Sequence, residues 1–223
     1  MSSRPRALDG SIGTKLLIGA TGLGLVLYLF THIAGNALVL LGPAVYNQYA
    51  HTLTSNPLLP IIEIGLALVF VVHTYKAIRN YAVNRRARPA AYAVKRPAGP
   101  PSRKSLASST MILSGLWLFV FLILHVKAFR FGLDYVTPEG LRDLYRIEME
   151  IFASPLTVAF YVISMVLVGS HLWHGFSSAF QSLGFDDARW TPRLLAAGKV
   201  LAVVIAGGFI VIALWAHLAG GRP

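Results

Sequence analysis

Four histidines lie inside four separate apolar segments of this 223-residue chain: His32, His73, His125 and His171. Each stands toward the C-terminal end of its segment. An imidazole in hydrocarbon is costly, so an intramembrane histidine marks a functional site unless a neighbouring helix simply satisfies it. Four of them on four helices suggest two pairs. A pair of neutral imidazoles facing across a helix bundle is the donor set of a six-coordinate haem iron. No carboxylate or third histidine shares the depth of either pair, which argues against another metal.

The elements that must position these residues read as membrane spans. The chain is 55% hydrophobic and 13% charged, with a mean hydropathy of +0.61. A soluble domain carries about 25% charged residues. Cysteine is absent, which excludes disulfides, thiolate haem ligation and a cysteine-held cluster within this chain. Met1 to Thr14 is polar and basic, and the apolar run after it is too long for a cleaved signal. The formal charge of +11 does not call for a nucleic-acid partner, because the basic residues cluster in loops beside apolar spans.

A spanning helix needs about 20 mostly apolar residues. Five such spans are expected, at 14–41, 57–78, 106–129, 155–180 and 194–219, with Pro57, Pro155 and Pro192 at or near helix starts. Lys and Arg gather in the N-terminal segment, the second loop and the fourth loop. The positive-inside rule therefore puts the N-terminus inside and the C-terminus outside. The Pro-, Ala- and Arg-rich stretch 87–102 reads as an inner linker. Segments 139–152 and 44–53 read as short helices on the outer surface.

Odd spans run outward and even spans run inward, so the histidines separate by depth. His32 and His125 lie about 25 Å from the inner boundary, His73 about 8 Å and His171 about 13 Å, at 1.5 Å per residue. The expected pairs are His32 with His125 toward the outside and His73 with His171 toward the inside, the levels differing by roughly 12–17 Å. His174 lies one turn beyond His171 on a neighbouring face and matches the depth of His73 slightly better, so geometry leaves that choice open. His51 and His217 read as interfacial residues. Glu63 is the acidic residue well inside a span. It reads either as a proton exchanger for a membrane quinone or as a hydrogen-bonding partner of a neighbouring helix or a haem propionate.

Several segments carry a family resemblance over nearly the whole chain. They are Ser11-Ile-Gly-Thr-Lys15; His32-Ile-Ala-Gly-Asn36; Asn56-Pro-Leu-Leu with Glu63 and His73; Leu106-Ala-Ser-Ser-Thr-Met111 with Ser114, Gly115 and His125; and His171-Leu-Trp-His-Gly175 followed by Ser178-Ala-Phe-Gln-Ser-Leu-Gly184. In their order, with the histidines in register, they resemble the dihaem cytochrome b membrane anchor of succinate:quinone oxidoreductases, the single-anchor type with five spans. The resemblance implies an all-α integral membrane bundle binding two b haems, with His32, His73, His125 and His171 as axial ligands. His171 is favoured over His174 because Gly175 and Gly184 follow it as in the family. It also implies a flavoprotein subunit, an iron–sulfur subunit and a quinone, most simply menaquinone, in a bacterial inner membrane. The chain would then contribute electron transfer and quinone reaction to the enzyme, while dicarboxylate chemistry belongs to the flavoprotein.

The chain departs from the family pattern at two places. Ser109 stands where the family's third span usually opens with arginine. Arg79, Arg103, Lys104, Ser108 or Ser109 would then have to serve the inner haem propionates. Gly169 stands where some members carry a proton-transferring glutamate. Two other classes fit the sequence: the cytochrome b anchor of another respiratory enzyme, such as a fumarate reductase, formate dehydrogenase or nitrate reductase, and a haem-free transporter or assembly factor.

Overall fold

In a computed structural model of the chain, residues 10–87 and 106–220 are described. They form α1 (Ser11–Asn36), a 3-10 turn (Ala37–Leu41), α2 (Pro43–Thr54), α3 (Leu59–Arg86), α4 (Leu106–Ser109), α5 (Met111–Arg130), α6 (Leu144–Ala153), α7 (Pro155–Ser182) and α8 (Trp190–Gly220). Five of these are long and apolar enough to cross a membrane: α1 with its 3-10 extension, α3, α5, α7 and α8. Among the described residues the β-structure is an isolated bridge between Val136 and Arg142. The linker expectation at 87–102, with Arg103 and Lys104, falls outside the described residues apart from Ala87.

The boundaries differ from the sequence expectation in instructive ways. The second span begins at Leu59 with Pro60, not Pro57, in its first turn, and it continues to Arg86. Arginines there extend the helix because their charge lies at its C-terminal, dipole-negative end. The third span does not run through from Leu106. Thr110 leaves helical geometry (φ −102°, ψ 5°), which separates the single turn α4 from α5. On the cap side, α6 begins only at Leu144, because Asp143 caps it and accepts from the Arg146 amide at 3.0 Å. Residues 137–142 form a turn instead, with the Gly140 amide donating to the Thr137 carbonyl.

Helices α1, α3, α5 and α7 close a ring in which each packs on its two neighbours: α1 on α3, α3 on α5, α5 on α7 and α7 on α1. Thus α1 and α5 stand diagonally opposite, as do α3 and α7. Helix α8 packs outside the ring, mainly on α7. Between α1, α7 and α8 lies the tightest core, containing Val26, Met165, Val168, Leu172, Leu201 and Ile205. Small residues allow that approach: a Cβ on Gly169 would come 3.1 Å from the Ala206 Cβ. The Gly169 position has no room for a longer side chain.

Short helices α2 and α6 cover one end of the bundle, here termed the cap end. Gly42 (φ +99°) turns the chain from the 3-10 segment into α2. Asn47 joins the two cap helices: its Nδ2 donates to Asp143 Oδ1 at 2.8 Å, and its Oδ1 accepts from the Tyr145 amide at 2.9 Å. The cap core is Val39, Tyr46 and Ile212. The opposite end, where α3 finishes in Arg85 and Arg86, is termed the basic end.

Candidate functional site

The histidines meet across the diagonals of the ring. His32 of α1 faces His125 of α5 with ring centroids 5.8 Å apart and planes at 90°. His73 of α3 faces His171 of α7 at 6.5 Å and 65°. On α1, Gly22 sits beside His73, ten residues before His32. On α5, Gly115 sits beside His171, ten residues before His125. Both helices therefore separate the two levels by about 15 Å at 1.5 Å per residue.

Each ring is held through Nδ1. His73 Nδ1 lies 3.2 Å from the Ile18 carbonyl and 3.2 Å from Thr21 Oγ1. The Thr21 hydroxyl donates to the Leu17 carbonyl, so it accepts from the imidazole. His171 Nδ1 lies 3.1 Å from Ser114 Oγ, which itself donates to the Met111 carbonyl. These two contacts place the proton on Nδ1 and leave the Nε2 lone pair bare. His125 Nδ1 is 3.3 Å from the Tyr161 hydroxyl. His32 Nδ1 is 3.3 Å from the Tyr28 hydroxyl and 3.4 Å from Asn36 Nδ2, whose shorter bond, 2.8 Å, goes to the His32 carbonyl. No Nε2 of the four has a hydrogen-bond partner among the described residues.

The spacing within each pair is what two imidazoles sharing one iron would require. A metal–nitrogen bond of about 2 Å on either side, with each ring centroid about 1 Å behind its nitrogen, calls for centroids roughly 6 Å apart. Glycines border the basic-end pair: a Cβ on Gly22 would come 3.2 Å from His73 Cε1, and one on Gly115 3.6 Å from His171 Cε1. Aromatic rings surround the cap-end pair, with Phe129, Phe121 and Tyr161 about His125 and Phe209 against His32. Between the levels, Phe70 stacks on Phe119, and Trp117 Nε1 donates to Ser164 Oγ at 2.9 Å.

His174 is not part of either pair. It lines a small cavity at the basic end with Ser177, Ser178, Gln181, Asp186 and Thr191. The geometry thus separates His171 from His174, which depth did not. Gly175 lies at ordinary contact distance from Met111 Cε and His171 Cδ2, 3.6 and 3.9 Å. The Ser109 hydroxyl donates to the Leu106 carbonyl at 2.8 Å, so its one proton is already used. His51 sits on α2 beside Ser55, and His217 Nδ1 is 2.8 Å from the Phe152 carbonyl.

Glu63 lies near the start of α3 and pairs with Arg130 at the end of α5, at 3.3 Å, with both side chains about half exposed. It is neither deeply buried nor unpaired. Among the described residues the buried carboxylate is Glu148 of α6, 1% exposed. Its carboxylate accepts from the Tyr46 hydroxyl at 2.7 Å. Burial pushes its pKa up to about 7, an effect the Tyr46 bond partly offsets. Burial and the Glu148 charge likewise raise the Tyr46 phenol above its ordinary range. A signal for Glu148 does exist in the sequence. On a helix it falls between Leu144, Ile147, Ile151 and Phe152, in the middle of the apolar face.

No protein-family model matches the chain, and no curated protein sequence matches it. The site rests on its own geometry.

Proposed function

We propose that the chain is the membrane-anchor cytochrome b of a succinate:quinone oxidoreductase. It would carry electrons between an iron–sulfur subunit and a membrane quinone through two bis-histidine haems. The observation that carries this reading is the diagonal pairing: two imidazole pairs at two levels, each ring fixed through Nδ1 with Nε2 turned free. Ligand imidazoles elsewhere are oriented by such outer contacts, and here the Ile18 carbonyl, Thr21, Ser114, Tyr161 and Tyr28 supply them. Haem b, when bound at each pair, supplies a one-electron iron couple. The surrounding phenylalanines keep water from the rings, which tunes the potential of whatever they hold.

The basic end is assigned to the inside by the positive-inside rule, and the cap end to the outside. Arg85 and Arg86, in the last turn of α3, supply positive charge at that end suited to an iron–sulfur partner that is itself bound to the flavoprotein. Glu63, salt-bridged to Arg130 at the outer end, is the proton exchanger assigned to the quinone, taken as menaquinone. The location that goes with this reading is a bacterial inner membrane. The test is purification of the native complex with its partner subunits and quantification of b haem per chain. Co-purification of a flavoprotein and an iron–sulfur protein oxidising succinate supports the assignment. A different soluble partner with the same haem content reassigns the enzyme but not the cytochrome.

A further inference from the structure

Glu148 has no part in holding either histidine pair, yet it is buried close to the polar groups that contact the cap-end pair: it is hydrogen-bonded to Tyr46 and lies within electrostatic reach of Tyr161. On one side, the Tyr46 hydroxyl donates to its carboxylate at 2.7 Å and stands 3.4 Å from Asn36 Oδ1, and Asn36 Nδ2 donates to the His32 carbonyl at 2.8 Å. On the other side, Tyr161 lies within electrostatic reach of Glu148 and places its hydroxyl 3.3 Å from His125 Nδ1. Tyr46 is 4% exposed and Glu148 1%. No cation pairs with Glu148 among the described residues. Charges buried in a low dielectric interact more strongly than in water.

The structure assigns Glu148 the role of a redox-linked proton site. Its carboxylate takes up one proton from the cap-side aqueous phase as the His32–His125 level gains an electron, and releases it as that electron leaves. This rests on the proposed cytochrome reading. The only bond made or broken is the O–H of the carboxyl. The electron is the one exchanged with quinone or with the second haem level.

The groups facing Glu148 permit this. Helix α2 presents Tyr46, with Tyr49 close to it, and α7 presents Tyr161. From α5 comes His125 through Tyr161, and from α1 His32 through Asn36. Helix α8 contributes His217, which is engaged with the Phe152 carbonyl. Arg146 and Glu150 on α6 pair with each other at 3.0 Å. Glu148 therefore carries the carboxyl charge beside the level, and burial sets its titration near neutrality, at about 7. At a separation on the order of 12 Å and an effective dielectric of about 20, one unit of charge changes proton affinity by about tenfold. That factor equals about 59 mV for a one-electron couple.

The test is spectroelectrochemical titration of the full complex from pH 5.5 to 8.5. The cap-end haem's midpoint should fall by about 59 mV across that range in wild type, as one tenfold affinity change requires. Glu148→Gln should flatten that fall and leave the basic-end haem unchanged. Tyr46→Phe, which removes the donor to the carboxylate, should move the inflection to higher pH. In the wild type alone, the reduced-minus-oxidised infrared difference spectrum should show a protonated carboxyl band, whether or not the variants assemble. A pH slope untouched by Glu148→Gln with both haems present, or a wild-type spectrum lacking that band, overturns the assignment while leaving the cytochrome reading intact. A wild-type complex without haem overturns both.

Discussion

Replacing Gly22 tests how the basic-end pair is seated. An alanine Cβ there would stand 3.2 Å from His73 Cε1 and 3.6 Å from Nδ1. Comfortable carbon–carbon contact is about 3.5–4.0 Å, so the ring must yield by a few tenths of an ångström. It cannot simply back away, because the Ile18 carbonyl and Thr21 Oγ1 both hold Nδ1 at 3.2 Å. Overpacking of this kind costs about 1–3 kcal/mol. Gly22→Ala should therefore weaken haem retention at the basic-end level by about tenfold at a cost near 1.4 kcal/mol. Gly22→Val carries methyl groups further onto the ring and should remove that haem altogether. Gly24→Ala is the control, since its Cβ meets only Val69 Cγ1 at 3.8 Å. The assay is pyridine haemochrome per purified chain with a reduced-minus-oxidised spectrum. Gly22→Val should fall from two haems to one, with the cap-end spectrum kept, and Gly24→Ala should stay at two. Two haems in Gly22→Val, or loss of the cap-end haem instead, would refute the seating of His73 against α1.

The remaining perturbations separate the levels and the charges. His32→Ala or His125→Ala should remove one haem and spare the other, His73→Ala or His171→Ala should do the converse, and His174→Ala should keep both, all read from the same spectra. Glu148 titrates higher in the folded protein than its ordinary 4.5, so its contribution to stability is present below that value and is lost as pH rises through about 7. Over that window wild type should lose up to about 3 kcal/mol relative to Glu148→Gln, measured by thermal unfolding in detergent at pH 5 and pH 8; a pH-independent gap would contradict this. Glu63→Gln should change stability by less than about 1 kcal/mol, because its pair with Arg130 is half exposed, while quinone turnover falls at unchanged haem content. Unchanged turnover would remove Glu63 from the quinone reaction. Asn47→Ala should cost about 1–2 kcal/mol by freeing the Tyr145 amide and Asp143, seen as a lower melting temperature.

Much of this architecture is legible before any coordinates, because length and hydropathy determine spans and an imidazole among apolar residues stands out. The pairing of His32 with His125 and of His73 with His171 follows from depth and alternating direction, and the diagonal geometry agrees with it. What depth could not separate was His171 from His174: they differ by one turn in height but by facing, and facing depends on how α7 is rotated against α5. Ser114 and Gly115 settle that rotation. Glu148 was missed because it shares its loop with Asp143, Glu139 and Glu150, and a charge near water reads as solvated. Only the packing of α2 over α6 buries it. Glu63 lies less deep than the sequence suggests for the opposite reason: its span starts at Leu59, so it lies about one turn from the end, where Arg130 reaches it. Gly22 carries no signal in sequence, because the ring it makes room for belongs to another helix.

The haem content of the purified wild-type chain tests the central claim most directly. Pyridine haemochrome against a quantitative protein determination should give two b haems per chain, and each single ligand variant should give one. A correctly inserted chain with no Soret band would contradict the account, and one haem per chain would leave one histidine pair without its assigned role.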